Sequence, residues 1–195
     1  MVGLSETIWN VTARDGVARP VPTGHDYYQD AIDRFGQALE RLARAYEADA
    51  DIRRDLIQDI HFAIWRSFGT YDRRCSLRTW VYRVAHNTAT SHVTRAFRLG
   101  RQRFVTLDEL DGEPASREQA ADEALGRRRA LDRLYGLIQQ FEPIDRQVMV
   151  SYLEGMEAAE IADVVGTSPG AVGTKVYRIK RLLARQFNEG ALHDR

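Results

Sequence analysis

Residues 166–175 read GTSPGAVGTK, and the class of protein turns on whether these glycines, threonine and lysine cradle a phosphate or open a helix. A phosphate loop of the form G-x-x-x-x-G-K-[ST] sets its lysine directly after the second glycine, so that backbone N–H groups and the ammonium converge on the anion. Here Ser168 occupies the first glycine position, and Thr174 separates Gly173 from Lys175. Such a loop also follows a buried strand, whereas Ile161, Ala162 and Val165 in the preceding segment space for one face of a helix. The nucleotide reading fails on both counts.

What remains is helix, tight turn, helix. Ser168 is placed to cap the second helix, with Pro169 as its first residue, where the missing N–H does no harm. Val172, Val176, Ile179 and Leu183 then share one face, and Thr174, Tyr177, Arg178, Arg181 and Arg185 lie roughly opposite. Small Ala162, the turn residue Gly166 and Val172 allow the close crossing that a helix-turn-helix pair needs. Gly170 and Gly173 thin the leading end of a helix that can enter a major groove, and Lys175, Arg178 and Arg181 supply backbone and base-edge contacts. A merely solvated cationic face is the bland alternative. Capping, a small-residue crossing and an acid-free basic face coincide, which favours DNA binding.

The 195 residues suit one medium domain or two small ones, and 44% hydrophobic with 29% charged residues is an ordinary globular composition. Cys75 is the single cysteine, so it has no disulfide partner within the chain and no second thiol for a zinc site, which suits a reducing cytoplasm. The five histidines are scattered, and His86 and His92 miss the i, i+4 spacing of a metal-binding pair. Neither a metal nor a cofactor is expected. No arrangement of nucleophile, paired carboxylates or metal ligands suggests an enzyme. No apolar run approaches membrane-spanning length, and the first residues lack a basic start followed by an apolar core.

The formal net charge of +0 hides segregation along the chain. Arg66 to Arg103 holds nine arginines against one acid, Asp72; Thr106 to Gly126 holds seven acids against Arg117; Ser168 to Phe187 holds five bases and no acid. Two basic modules flank an acidic connector. Ile32, Phe35, Leu39, Leu42 and Tyr46 form one helical stripe, ended near Asp49–Asp51. Ile52, Leu56, Ile60, Ile64, Trp65 and Phe68 form a second, closed by Gly69; Leu77, Trp80, Val81, Val84 and Ala85 form a third. Leu131, Leu134, Leu137 and Ile138 begin another module, broken at Glu142-Pro143, resumed through Ile144, Val148, Met149, Tyr152 and Leu153, and stopped at Gly155. The expectation is an all-α chain: a flexible arm over 1–25, a helical domain over 26–99, an acidic solvated linker over 100–126, a helix-turn-helix domain over 127–187, and a tail over 188–195.

Read as a whole, residues 30–187 resemble a bacterial sigma factor of the sigma-70 family, in its extracytoplasmic-function (ECF) group. The segment Asp55-Leu-Ile-Gln-Asp-Ile-His-Phe62 is similar to the family segment that grips polymerase, and Ser76-Leu-Arg-Thr-Trp-Val-Tyr-Arg-Val-Ala-His-Asn87 to the one that opens and reads the minus-ten element. Tyr152-Leu-Glu-Gly-Met-Glu-Ala-Ala-Glu-Ile-Ala162 and Ser168-Pro-Gly-Ala-Val-Gly-Thr-Lys-Val-Tyr-Arg178 resemble the minus-thirty-five reader. The resemblance implies core RNA polymerase and promoter DNA as partners, and an anti-sigma factor as regulator. It places Arg78, Tyr82, Arg83, His86, Asn87 and Arg95 at the minus-ten element, with Tyr71 and Trp80 as further aromatic neighbours. It places Ser168, Gly170, Thr174, Lys175, Tyr177, Arg178 and Arg181 at the minus-thirty-five element, and Asp55, Gln58, Asp59 and Arg66 against polymerase. Gly173 and Ala171 depart from the family's usual Lys or Arg and Thr, and His61 from a large apolar residue. A stand-alone helix-turn-helix regulator, or an interaction protein with another acidic partner, is the remaining alternative.

Overall fold

In the computed structural model, which describes residues 24–112 and 123–188, the first helix, α1 (Gly24–Tyr46), carries the expected stripe, with Leu39, Leu42 and Tyr46 fully buried. The arm over 1–25 lies almost wholly outside the described residues, as do 113–122 of the connector and all but the first residue of the tail. Asp49 both ends one helix and starts the next. Its carboxylate accepts the N–H of Asp51 at 2.9 Å and of Ile52 at 3.0 Å, capping α2 (Ala50–Ser67). Those two backbone donors hold its pKa below the ordinary carboxylate value.

Helix α2 buries Leu56, Ile60 and Ile64, whereas Ile52 and Trp65, read as part of the same stripe, are 44% and 52% exposed. The reason is angular: Trp65 follows Ile64 by about 100° around the helix and points past the core. Phe68, in the 3-10 turn Phe68–Thr70, fills the stripe's end instead. Ser76 caps α3 (Leu77–Arg98) by accepting the N–H of Thr79 at 3.0 Å, and Val81, Ala85, Ala89 and Val93 line its core face every four residues. Trp80 is half-buried; its indole N–H donates to Ser67 Oγ at 2.9 Å, and its ring lies 5.2 Å from that of Tyr71. α1, α2 and α3 thus bury one another.

The connector begins differently from a solvated strap. Gly100, at φ 69°, reverses the chain beyond α3; Phe104 stacks on Phe97 at 5.0 Å, and the N–H of Val105 donates to Gln140 O at 2.8 Å. A short helix, α4 (Leu107–Gly112), follows with Leu107 buried. The apolar side chains Phe104, Val105 and Leu107, spaced within an otherwise polar segment, explain this correction.

The second body comprises α5 (Glu123–Ile138), α6 (Pro143–Leu153), α7 (Ala158–Val165) and α8 (Pro169–Asn188). Helix α6 starts at Pro143 as read from sequence, and Gly155 turns the chain at φ 71°. A capping box, with Glu157 N–H donating to Glu160 Oε2 at 3.0 Å, starts α7. Gly166, at φ 77°, supplies the left-handed turn residue, Ser168 Oγ accepts the N–H of Ala171 at 3.2 Å, and Val172, Ile179, Leu182 and Leu183 bury the inner face of α8. Among the described residues the architecture is all-α, with one isolated bridge between Val105 and Phe141.

Replacing fully buried Leu56 with Ala is expected to cost about 2–5 kcal/mol in urea unfolding. Trp65→Ala, on the exposed face, should stay within about 0.5 kcal/mol.

Candidate nucleic-acid and polymerase interfaces

Helix α8 presents Gly170, Gly173, Thr174, Tyr177, Arg178 and Arg181 on one exposed face, beside exposed Ser168. A Cβ added at Gly170 or Gly173 would meet nothing within 4 Å, so packing within the fold does not demand glycine at either position. Arg181 lies over the Tyr177 ring at 5.9 Å, and Thr174 Oγ1 donates to the carbonyl of Gly170 at 3.1 Å. Arg178 pairs with Asp108 of α4 at 2.5 Å, so the acidic connector touches this face. Lys175 differs from its neighbours. Its ammonium is 2.5 Å from the buried carboxylate of Asp145 and braces α8 on α6, whereas its charge on this helix and the family resemblance place it among the DNA contacts.

On α3, Arg78, Tyr82 and His86 recur every four residues, and this stripe lies beneath the second body. Arg78 donates to the carbonyl of Glu154 and lies 3.9 Å from Glu160. Arg83 donates to the carbonyl of Asp163 at 2.6 Å. His86 is fully buried, its Nε2 3.0 Å from Ser151 Oγ and its Nδ1 2.9 Å from Tyr46 Oη. A neutral imidazole donates through one nitrogen and accepts through the other, so one tautomer satisfies both hydroxyls. Burial pulls the His86 pKa from 6.5 to about 3 and pushes that of Tyr82 up to about 12. The expectation of Tyr82 and His86 as exposed stacking platforms therefore does not hold in this packed arrangement. Their face meets α6 and α7, a contact that no local pattern in α3 encodes. Asn87 and Arg95 remain exposed.

Further contacts tie the same seam. Arg41 forms a two-pronged pair with Glu154, at 2.7 and 2.6 Å; Gln147 donates to Thr90 Oγ1 at 2.8 Å; Arg44 pairs with Asp132. On the outer side of α2, Asp55, Gln58, Asp59 and Arg66 are all exposed, as expected. Between them lie Phe62, the last residue of the segment that resembles the polymerase-gripping one, at 59% exposure, and Trp65, which the spacing assigns to the buried stripe, with ring centroids 6.1 Å apart. Phe62 falls off the buried 56–60–64 stripe, a signal present in the spacing. His61 is half-buried, its Nδ1 3.1 Å from Tyr28 Oη.

Two family models match this chain in order: Sigma-70 region 2 over residues 31–98, and Sigma-70, region 4 over residues 131–183. The chain belongs to the sigma-70 family of transcription initiation factors, in the ECF group, and directs promoter-specific initiation with core RNA polymerase and promoter DNA as partners. Among its relatives, the ECF RNA polymerase sigma factor BldN of Streptomyces coelicolor is 28% identical over 172 residues, covering 86% of this chain and 60% of BldN. The RNA polymerase sigma-H factor of Pseudomonas aeruginosa is 24% identical over 69% of this chain and 72% of its own length. The structure of CnrH in complex with the cytosolic domain of CnrY shares the fold at a TM-score of 0.57 and 21% identity, covering 83% of this chain and 87% of that one. No described helix is long and apolar enough to cross a membrane.

The buried imidazole makes a pH signature. Because His86 is held neutral, its contribution is fully present above pH 6.5 and is lost as pH falls toward 3. From this group alone the native state should be about 2 kcal/mol less stable at pH 5 than at pH 7.5. In thermal or urea unfolding at both pH values, His86→Gln, which keeps a donor and an acceptor, should flatten that part of the difference.

Proposed function

We propose that the two bodies divide the promoter. In this reading the N-terminal body, residues 26–99, opens and reads the minus-ten element through Arg78, Tyr82, Arg83, His86, Asn87 and Arg95. The C-terminal body, 127–187, reads the minus-thirty-five element through the exposed face of α8, with Arg178 and Arg181 at its centre. Lys175 acts there chiefly by bracing the helix. The outer face of α2, with Asp55, Gln58, Asp59 and Arg66 around Phe62 and Trp65, docks on polymerase; an exposed aromatic pair set among polar groups supports that role. One observation carries the reading most: a capped helix-turn-helix whose outer face is basic and free of acids, matched to region 4 and preceded by a region 2 body. The region 2 body is what a stand-alone helix-turn-helix regulator would lack, so that alternative is not favoured.

The chain works in the cytoplasm, without a cofactor and without catalysing a reaction itself. An anti-sigma factor is its expected regulator, a reading supported by the complex that CnrH forms with the cytosolic domain of CnrY. Asn87 and Arg95 are reachable as the chain is folded, Tyr82 and His86 only once the second body moves away, and Arg78 and Arg83, partly exposed, are held by its carbonyls.

Purified chain added to core polymerase should start run-off transcription at defined sites in a promoter library. Arg178→Ala should weaken discrimination at the upstream element by about 1–3 kcal/mol if that side chain reads a base. An unchanged promoter preference would remove Arg178 from the contact set.

A further inference from the structure

A cleft of about 420 Å³ opens between the α1–α2 turn and the far end of α3. Local sequence builds it. Gly100, at φ 69°, folds the chain back over the last turn of α3: its N–H donates to the carbonyl of Phe97 at 2.9 Å, and that of Arg101 to the carbonyl of Ala96 at 2.9 Å. This reversal brings Arg101 to the cleft that Arg95 and Ala96 already line. The turn into α2, fixed by the Asp49 cap, contributes Ala48 and Ile52.

The lining divides by chemistry. Ala48, Ile52, Ala96 and Leu99 are aliphatic, and the two large ones, Ile52 and Leu99, are left 44% and 61% exposed to water. Arg95 and Arg101 have no side-chain hydrogen bond or ion pair among the described residues. The acid in the lining, Glu47, is already engaged: its Oε1 accepts the N–H of Asp49 at 3.0 Å, and its Oε2 lies 3.1 Å from His92 Nε2. Gln139 joins from the second body, and behind it fully buried Arg146 donates to the Gln139 carbonyl while its Nε and Nη1 stay unpaired. A third guanidinium thus adds to the positive potential at the cleft.

Unpaired guanidiniums beside an aliphatic floor suit an anion that carries an apolar body. A nucleotide would need an aromatic face to stack on, and no Phe, Tyr or Trp among the described residues lines the cleft. A bare inorganic anion would leave Ile52 and Leu99 in water. The volume lies toward the lower end of the range for ligand pockets, about 300–1,000 Å³, which fits a small molecule.

We propose that this cleft binds a small carboxylate with an apolar body, the carboxylate held by Arg95 and Arg101 and the hydrocarbon laid on Ile52 and Leu99. Arg95 also belongs to the minus-ten set proposed above, so at that side chain such a ligand and a DNA phosphate exclude one another.

Isothermal titration calorimetry on the full chain, without polymerase and at one fixed salt concentration, would compare 2-naphthoate with its neutral counterpart 2-naphthylmethanol and with inorganic phosphate. 2-Naphthoate should bind one-to-one with a Kd below about 1 mM. The alcohol should bind at least about fivefold more weakly, having no charge for the arginines, and phosphate should not saturate. Arg95→Gln and Arg101→Gln should each weaken 2-naphthoate about fivefold, and Leu99→Ser about threefold. Arg98→Gln, which removes an equal charge from the same turn of α3 outside the lining, should bind as wild type does. All four side chains are exposed, so the variants keep the fold.

Absence of saturable 2-naphthoate binding overturns the site. Equal affinity for the alcohol removes the arginines from it, equal affinity for phosphate removes the apolar floor, and either result overturns the proposal. An equal loss in Arg98→Gln also overturns it, because the effect is then net charge alone. None of these results touches promoter recognition, whereas failure of run-off transcription takes down the proposed function and leaves the cleft standing.

Discussion

The hydrogen-bonded line from Tyr46 through His86 to Ser151 decides how the two bodies meet, and with it which surfaces the chain offers. Three helices place it: the ends of α1 and α6 hold the hydroxyls, and the middle of α3 holds the ring between them. Beside it, fully buried Arg146 lies over Tyr46 at 5.2 Å and Phe104 at 5.6 Å, and donates to the carbonyls of Gln139 and Phe141. Burial lowers its pKa to about 10, which leaves it charged at neutral pH. Its Nε and Nη1 have no hydrogen-bond partner, and a buried unmade donor costs about 1–3 kcal/mol. The aromatic faces offset part of that through cation–π attraction. A junction carrying a buried cation and a neutral histidine gives up packing energy that an apolar seam of the same size would retain. The two bodies are docked rather than fused.

Much of the fold was legible because it is local. Ser168 followed by Pro169, with Gly166 at the turn, encodes the start of α8 in a few residues, and that start forms as read. Stripes at three- and four-residue spacing found α1, α2 and α3, and Glu142-Pro143 with Gly155 bounded α6. Failures came where a second body or a neighbouring turn decides. Tyr82 and His86 sit on a basic helix and resemble DNA-stacking residues, yet their burial depends on α6, more than sixty residues further along. Lys175 carries the charge of a DNA contact on the recognition helix, and only the position of Asp145 reveals its bracing role. Phe62 was readable as an aromatic off the buried stripe, but nothing in the pattern of a single helix separates a docking aromatic from a scattered surface one.

The zero net charge conceals a segregation that the fold partly pairs up. The basic segments are offset by the acidic connector and by acids on α1, α2 and the α6–α7 turn, and in the folded chain Asp108 of the connector lies on Arg178 of α8. Arg41, Arg78 and Arg83 of the first body are held by acceptors of the second, so how far these groups reach toward another anion depends on the distance between the two bodies.

That distance is the most direct quantity to measure. With Cys75 replaced by Ser, spin labels at exposed Glu40 on α1 and Ala159 on α7 would report it by pulsed electron paramagnetic resonance, free and with core polymerase. The account predicts one narrow, short distance for the free chain and a longer one once the holoenzyme forms. A broad distribution in the free chain, or the same short distance inside a transcribing holoenzyme, would contradict it.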